Sequence, residues 1–183
     1  MEEWHKQNLD KLINRIVHQF SYLYKKCAEN NDEVYGMAIN VNSFCTTSYM
    51  AIAAHNQFKK ENNELKWQLD EWVITVDDGI YADDFLDQFN KDIREYFGEI
   101  MLPKIQSGAD KEKEIEKNIQ FYIVGTKEAK ELLVHTLGPD LKDTVFILSV
   151  DEHPDVALRS ALEINLDSRL LHEFVEYKIR IAK

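Results

Sequence analysis

The hydrophobic residues of this chain change their spacing partway along it, and this change restricts the fold more than any other sequence feature. From residue 9 to residue 27 the apolar side chains recur every three or four positions, which places them on one face of an α-helix. This stripe comprises Leu9, Leu12, Ile13, Ile16, Val17, Phe20, Leu23, Tyr24 and Cys27. We therefore predict a long first helix over about residues 3–29, ended by a polar cluster that favours turns.

Alternating spacing follows the first helix and predicts β-structure. Every second residue from Tyr35 to Val41 is apolar, and residues 44–54 form a second run rich in β-branched and aromatic residues. The polar turn between these runs predicts a β-hairpin. A third run, residues 66–76, is predicted to join the same sheet, with a bulge near its middle.

Helical spacing returns in the second half of the chain. A strongly periodic stripe predicts a helix over residues 85–101. Residues 119–125 fit helical spacing, which we favour, but Phe121 to Val124 followed by Gly125 could equally form a short strand.

The last third of the chain predicts one more strand and two more helices. Residues 144–150 are a continuous apolar run of strand length, and Pro154 suits the first turn of a helix that reaches about residue 163. A closing helix is predicted over residues 167–177. We expect one α+β domain over residues 1–183, with a mainly antiparallel β-sheet covered by long amphipathic helices.

Charge and composition narrow the classes of function. The 183 residues include 22 Lys and Arg against 33 Asp and Glu, a net charge of −11. Nucleic acids and anionic membranes would repel such a chain, whereas a basic protein would attract it. Two cysteines are too few for a disulfide framework. The N-terminal sequence does not have the pattern of a secretory signal. No apolar run approaches the ~20 residues that a helix needs to cross a membrane. We therefore expect a cytoplasmic protein that binds neither membrane nor nucleic acid.

The acidic residues are concentrated in one stretch, residues 61–99, where twelve acids against three basic residues give a local charge of −9. Tryptophans within the same stretch could anchor a partner beside the acidic rim. The candidate binding residues are Trp67, Glu71, Trp72, Asp77, Asp78, Asp83 and Asp84. The alternative is a solvated acidic surface with two tryptophans buried in the core.

A second candidate is the loop after the last predicted strand. Asp151 and His153, with His55, could perform acid–base chemistry, although the same loop also suits a plain helix N-terminus. Cys45 and His55 match no thiol-enzyme pattern. Ten residues of extended strand span about 30 Å, so these two side chains could meet only if the strand ended or folded back between them. The six glycines form no phosphate-binding motif. No cofactor and no metal site are predicted.

The chain presents its segments in a set order: the opening helix, then Val34 to Ile39, Ala51 to Asn56, Trp67 to Trp72, Phe85 to Phe97, Val145 to Asp151 and Leu162 to Asn165. This order gives it a resemblance to the bacterial domain-of-unknown-function family 4303. It implies a small intracellular bacterial α+β protein with no assigned activity and no catalytic residues to carry over. Proteins of this size and acidity also resemble, in type, the immunity proteins that neutralise bacterial toxins.

We favour a non-enzymatic protein-binding module, such as an immunity-type inhibitor, that presents the acidic stretch to a basic partner. The alternative is a small-molecule-binding protein or enzyme that uses the loop of residues 151–155. The sequence is compatible with a monomer or with a homodimer.

Overall fold

Three strands form a small mixed sheet at the centre of the fold. The computed structural model describes residues 2–57, 65–75, 85–166 and 168–181. Its strands are β1 (Val34–Val41), β2 (Ser48–Ala54) and β3 (Val145–Val150), in the order β2-β1-β3. β1 and β2 form the predicted antiparallel hairpin, and β3 runs parallel to β1 with Val150 opposite Val41.

Helices make up most of the described chain. They are α1 (Glu3–Glu29), α2 (Phe85–Tyr96), α3 (Leu102–Gln106), α4 (Lys111–Leu137), α5 (Asp155–Ile164) and α6 (Leu171–Ile181). A π-helical turn over Phe97–Met101 joins α2 to α3, and short 3-10 turns cover His55–Gln57, Leu69–Glu71 and Pro139–Lys142. Within the described ranges, no helix combines the length and the apolarity needed to cross a membrane.

Most predicted elements are present, but the predicted sheet is wrong in part. The first helix and the hairpin are confirmed, and residues 119–125 lie within helix α4. The sheet is mixed rather than mainly antiparallel, because β3 pairs parallel to β1. In the part of residues 66–76 that is described, a single bridge from Ile74 to Ile52 replaces the predicted strand. The last helix starts at Leu171, later than predicted.

Each face of the sheet is covered by a separate layer. One face carries Met37, Ile39 and Leu148 and packs into the main hydrophobic core with α1, α2 and α4. The opposite face carries Tyr35 and Ile147, and it is covered by α5, by α6 and by the segment of residues 65–75. The carboxyl ends of β1 and β3 lie side by side at one end of this second layer.

Two buried asparagines close the outer edges of the sheet. On β3, the Asn165 side chain accepts from the Phe146 amide at 2.8 Å and donates to the Phe146 carbonyl at 2.7 Å. On β2, Asn90 bonds the amide and carbonyl of Ser48 in the same way, at 2.8 and 2.9 Å. These bonds satisfy backbone groups that would otherwise be open to pairing with another chain.

Candidate functional site

A groove of about 260 Å³ opens where β3 ends. Its walls come from three parts of the chain: the turn at residues 67–70, the loop from β3 into α5, and the last turns of α6. Ligands of open α/β sheets commonly bind outside the carboxyl ends of parallel strands, and this groove lies at such a position.

The loop after β3 is held by backbone hydrogen bonds. The Asp151 amide donates to the Val41 carbonyl at 3.0 Å, and the His153 amide donates to the Val150 carbonyl at 3.1 Å. Between them, Glu152 adopts a left-handed backbone with φ of +65°, a conformation that costs a non-glycine residue about 1–2 kcal/mol. The tight turn leaves the side chains of Asp151 and Glu152 exposed, while His153 lines the groove.

The second wall rests on the two tryptophans. Trp67 and Trp72 are buried, with 4% and 3% of their surface exposed. The Trp72 indole and the Tyr35 hydroxyl both donate to the Lys66 carbonyl, at 3.0 and 2.9 Å. Trp67 packs edge-on against Phe174 of α6, with 5.6 Å between ring centroids. The rings are therefore core residues that support the groove, and they are not free to anchor a partner from the surface.

The third wall, from α6, contributes Tyr177 and Lys178. Burial lowers the pKa of the Lys178 ammonium group, and the negative charge of Asp70 acts in the opposite direction. The Lys178 Nζ lies 5.9 Å from the Phe174 ring centroid. Among the described residues, no carboxylate oxygen lies within 4.0 Å of this nitrogen. The amine thus lines the groove without a close ion pair.

Exposed carboxylates of two segments, which we call the acidic rim, lie near an exposed tyrosine beside the groove. Tyr49 is 54% exposed. Partial burial raises the pKa of Tyr49, and the charges of Asp70 and Asp151 raise it further. Glu71 and Glu152 are the exposed sequence neighbours of these two acids. Carboxylates from two segments distant in sequence therefore lie within electrostatic range of one phenol group.

The structure brings together two regions that the sequence singled out separately. The segment containing Trp67 and Glu71 lies against the loop of Asp151 and His153. Four other predicted binding residues, Asp77, Asp78, Asp83 and Asp84, lie outside the described residues.

His55 does not join the loop of residues 151–155. His55 follows β2 and lies at the end of the sheet where Val34 of β1 pairs with Ala54. The loop follows β3 and lies at the other end of β1, where Val41 pairs with Val150. The eight residues of β1 separate these ends by roughly 23 Å at ~3.3 Å per residue. The predicted grouping of Asp151, His153 and His55 is therefore not assembled.

Cys45 is also separated from His55. It lies in the hairpin turn at the far end of β2, is fully buried, and has its pKa raised to about 12 by burial and, to a smaller extent, by Glu116. A buried neutral thiol of this kind is not a nucleophile at neutral pH. Across the described ranges, no three His, Cys, Asp or Glu side chains are placed to hold a metal ion.

Sequence reasoning missed Tyr49, Tyr177 and Lys178. Each is a single residue on an otherwise ordinary strand or helix, so no local pattern distinguished it. Only the tertiary structure shows that the charge of Asp70 acts on all three of these side chains.

A larger groove of about 770 Å³ lies between α1, α4 and α5. Its acidic side chains, Asp10, Glu128, Glu131 and Glu163, are all exposed to solvent. Exposed carboxylates on helices are the expected composition of a solvated surface. This groove therefore offers a matched acidic surface far from the first groove.

Comparison of the chain with protein-family models, with curated proteins and with solved structures gives no significant match.

Proposed function

We propose that this protein is a non-enzymatic binding module for a basic protein partner, and that the partner contacts the acidic rim beside the groove. The observation that carries the proposal is that Asp70 and Asp151, from two segments distant in sequence, both act electrostatically on the exposed side chain of Tyr49. A phenol ring with carboxylates beside it suits a lysine or arginine side chain, which can stack on the ring and pair with the acids.

The charged, apolar and buried residues of this surface would contribute to binding in different ways. The carboxylates would speed the encounter with a positively charged partner, because the net charge of −11 and the local rim attract it over several ångströms. Tyr49 and Val73, which is 71% exposed, would supply the apolar contacts. Trp67 and Trp72 would hold the surface in place from beneath. An immunity-type inhibitor of a basic toxin is one kind of protein that would use such a surface.

The test is a titration of the ¹⁵N-labelled protein with an oligolysine peptide at low salt, with oligoglutamate as the charge control. We expect amide shifts at Tyr49, Asp70 and Asp151. Removing three rim charges should weaken binding by about ten-fold or more, since several charge pairs are lost together. The variant for this step combines Asp70→Asn, Asp151→Asn and Glu152→Gln.

A matched variant in the larger groove removes the same number of charges far from the rim. It combines Asp10→Asn, Glu128→Gln and Glu131→Gln, all at exposed positions. We expect it to change affinity by less than about two-fold, because screened charges at a distance contribute little. An equal loss in both variants would show binding to net charge alone and would contradict the proposal.

A second function, binding of a small molecule inside the groove, is favoured by a different observation: the Lys178 amine lines the groove without a close ion pair.

A further inference from the structure

We infer that the groove at the carboxyl end of β3 binds a small amphoteric molecule of amino-acid size, which carries one carboxylate and one ammonium group. This inference goes beyond the binding of a basic partner and does not depend on it. It rests on the residues that line the groove, among which Asp70 and Glu152 also belong to the rim that the partner would contact, whereas Lys178 and His153 belong to the groove alone.

The cationic side of the groove requires an anionic ligand group. Lys178 is half-buried against the Phe174 ring, and no carboxylate among the described residues lies within 4.0 Å of its Nζ. A half-buried ammonium group without a close counter-charge gains most from a ligand carboxylate, because such a contact is charge-assisted on both sides. The His153 ring lines the same groove and offers a further hydrogen-bonding nitrogen.

The acidic side of the groove requires a cationic ligand group. Asp70 and Glu152 line the groove together with the residues of α6, and Asp70 acts electrostatically on both Tyr177 and Lys178. A ligand with two carboxylates would be repelled by these acids, and a ligand with two amines would be repelled by Lys178. Only a molecule with both charges is complementary to both sides.

The size and the floor of the groove limit the rest of the ligand. A volume of about 260 Å³ is below the range of roughly 300–1,000 Å³ that holds drug-sized molecules. Val150, Ala157 and the edge of Trp67 form an apolar floor. A free amino acid with an apolar or aromatic side chain fits these limits.

The experiment is a titration of the ¹⁵N-labelled protein with each of the standard L-amino acids at millimolar concentration. We expect saturable shifts of the His153, Tyr177 and Lys178 amides with at least one of them. The decarboxylated amine and the deaminated acid that correspond to the best binder should each bind about ten-fold or more weakly, because each lacks one charge-assisted contact.

Variants then assign the two charges. Lys178→Met keeps the apolar stem against Phe174 and should reduce affinity for the amino acid about ten-fold or more, whereas Lys178→Arg should keep binding. Asp70→Asn, at an exposed position, tests the acidic side without a risk to folding. Lys127→Met, in the larger groove, is the matched control and should bind like the wild type.

Three outcomes would overturn the inference: no amino acid gives saturable shifts, a singly charged analogue binds equally well, or Lys178→Met binds with unchanged affinity while its spectrum shows a folded protein. The basic-partner proposal is tested separately by the same variant. Lys178→Met removes a positive charge, so it should leave oligolysine binding intact or slightly stronger.

Discussion

At the scale of single residues, the absence of a side chain at Gly36 determines where the groove wall lies. Gly36 is in β1, and an added Cβ would come within 2.4 Å of the Trp72 ring. The indole therefore rests on the bare backbone of the strand, with its nitrogen bonded to the Lys66 carbonyl. This close approach fixes the segment of residues 65–72 against the sheet, and that segment carries Asp70.

We expect Gly36→Ala to lower the free energy of unfolding by about 1–3 kcal/mol, because the new methyl group meets a rigid ring rather than a flexible side chain. Urea denaturation followed by circular dichroism measures the change. Gly125→Ala should cost less, since its closest neighbour is the end of the Leu12 side chain at 2.7 Å. At Gly98, an added Cβ has no atom of the described residues within 4 Å beyond its chain neighbours and its own helix backbone, so Gly98→Ala should be neutral or stabilising by up to ~1 kcal/mol. Equal losses in all three would contradict this account.

The tryptophans show what local sequence could and could not predict. The sequence marked Trp67 and Trp72 as unusual and left open whether they were surface anchors or core residues. Their burial depends on Gly36, on Tyr35 and on Phe174, which lie 30 to more than 100 positions away along the chain. No local pattern contains that information, so the question could be decided only by the tertiary packing.

At the scale of elements, the position of β3 in the sheet depends on the end of α5. Asn165 follows α5 and is 1% exposed. Its side chain bonds both backbone groups of Phe146 and also accepts from the Lys130 ammonium at 2.8 Å. Ser160 of α5 performs the same edge pairing at Leu148, with bonds of 2.9 and 3.1 Å. The helix thus replaces a neighbouring strand.

Asn165→Ala should therefore lower the free energy of unfolding by about 2–4 kcal/mol, because it leaves both backbone groups of Phe146 without their partner and removes one of the acceptors of the buried Lys130 ammonium. Hydrogen exchange should also accelerate at the Phe146 amide. The exposed Asn30, whose side-chain amide donates to the Lys26 carbonyl at the end of α1, provides a matched change. Asn30→Ala should cost less than about 1 kcal/mol, and a similar loss in both variants would argue against the edge role of Asn165.

Strand β3 also explains why the predicted sheet was wrong in part. The apolar run of residues 144–150 indicates a strand through its length and composition. Whether β3 runs parallel or antiparallel depends on the strand with which it pairs, and that strand is separated from it by about a hundred residues of chain. The spacing of apolar residues contains no information on this pairing. The parallel pairing places the end of β3 beside the end of β1, so an error in strand direction also hid the location of the groove.

At the scale of the whole molecule, a polar cluster joins four parts of the chain on the side of the fold with the longest helices. The Glu2 carboxylate accepts from Tyr96, Lys104 and Lys117, on α2, α3 and α4, at 2.7–3.2 Å. The Glu2 amide donates to Nδ1 of the buried His5, whose Nε2 therefore carries the hydrogen and donates to Asn118 at 2.9 Å. His5 is thus held in its neutral form.

The protonation of this cluster should make the fold sensitive to acid. Burial lowers the pKa of His5 below its usual 6.5, and the bond to Asn118 opposes that change only in part. For Glu2, burial raises the pKa, but hydrogen bonds from Lys104 and Lys117 outweigh burial and bring the pKa to about 2 from its usual 4.5. Both groups bind protons more readily in the unfolded chain. Stability should therefore decline as pH falls below 6.5, and decline further between pH 4.5 and about 2.

The variant Glu2→Gln separates the contribution of Glu2 to this pH dependence from the contribution of His5. The amide cannot be protonated in this range, so the stability that Glu2 provides at neutral pH, about 1–2 kcal/mol after solvent screening, should be absent at every pH. Urea denaturation at intervals from pH 7 to pH 2 should then show wild type and variant converging as the pH falls from 4.5 toward 2. Glu3→Gln changes an exposed neighbouring carboxyl group and should follow the wild-type curve. Wild-type and Glu2→Gln curves that stay parallel down to pH 2 would show that Glu2 does not link the helices through its charge.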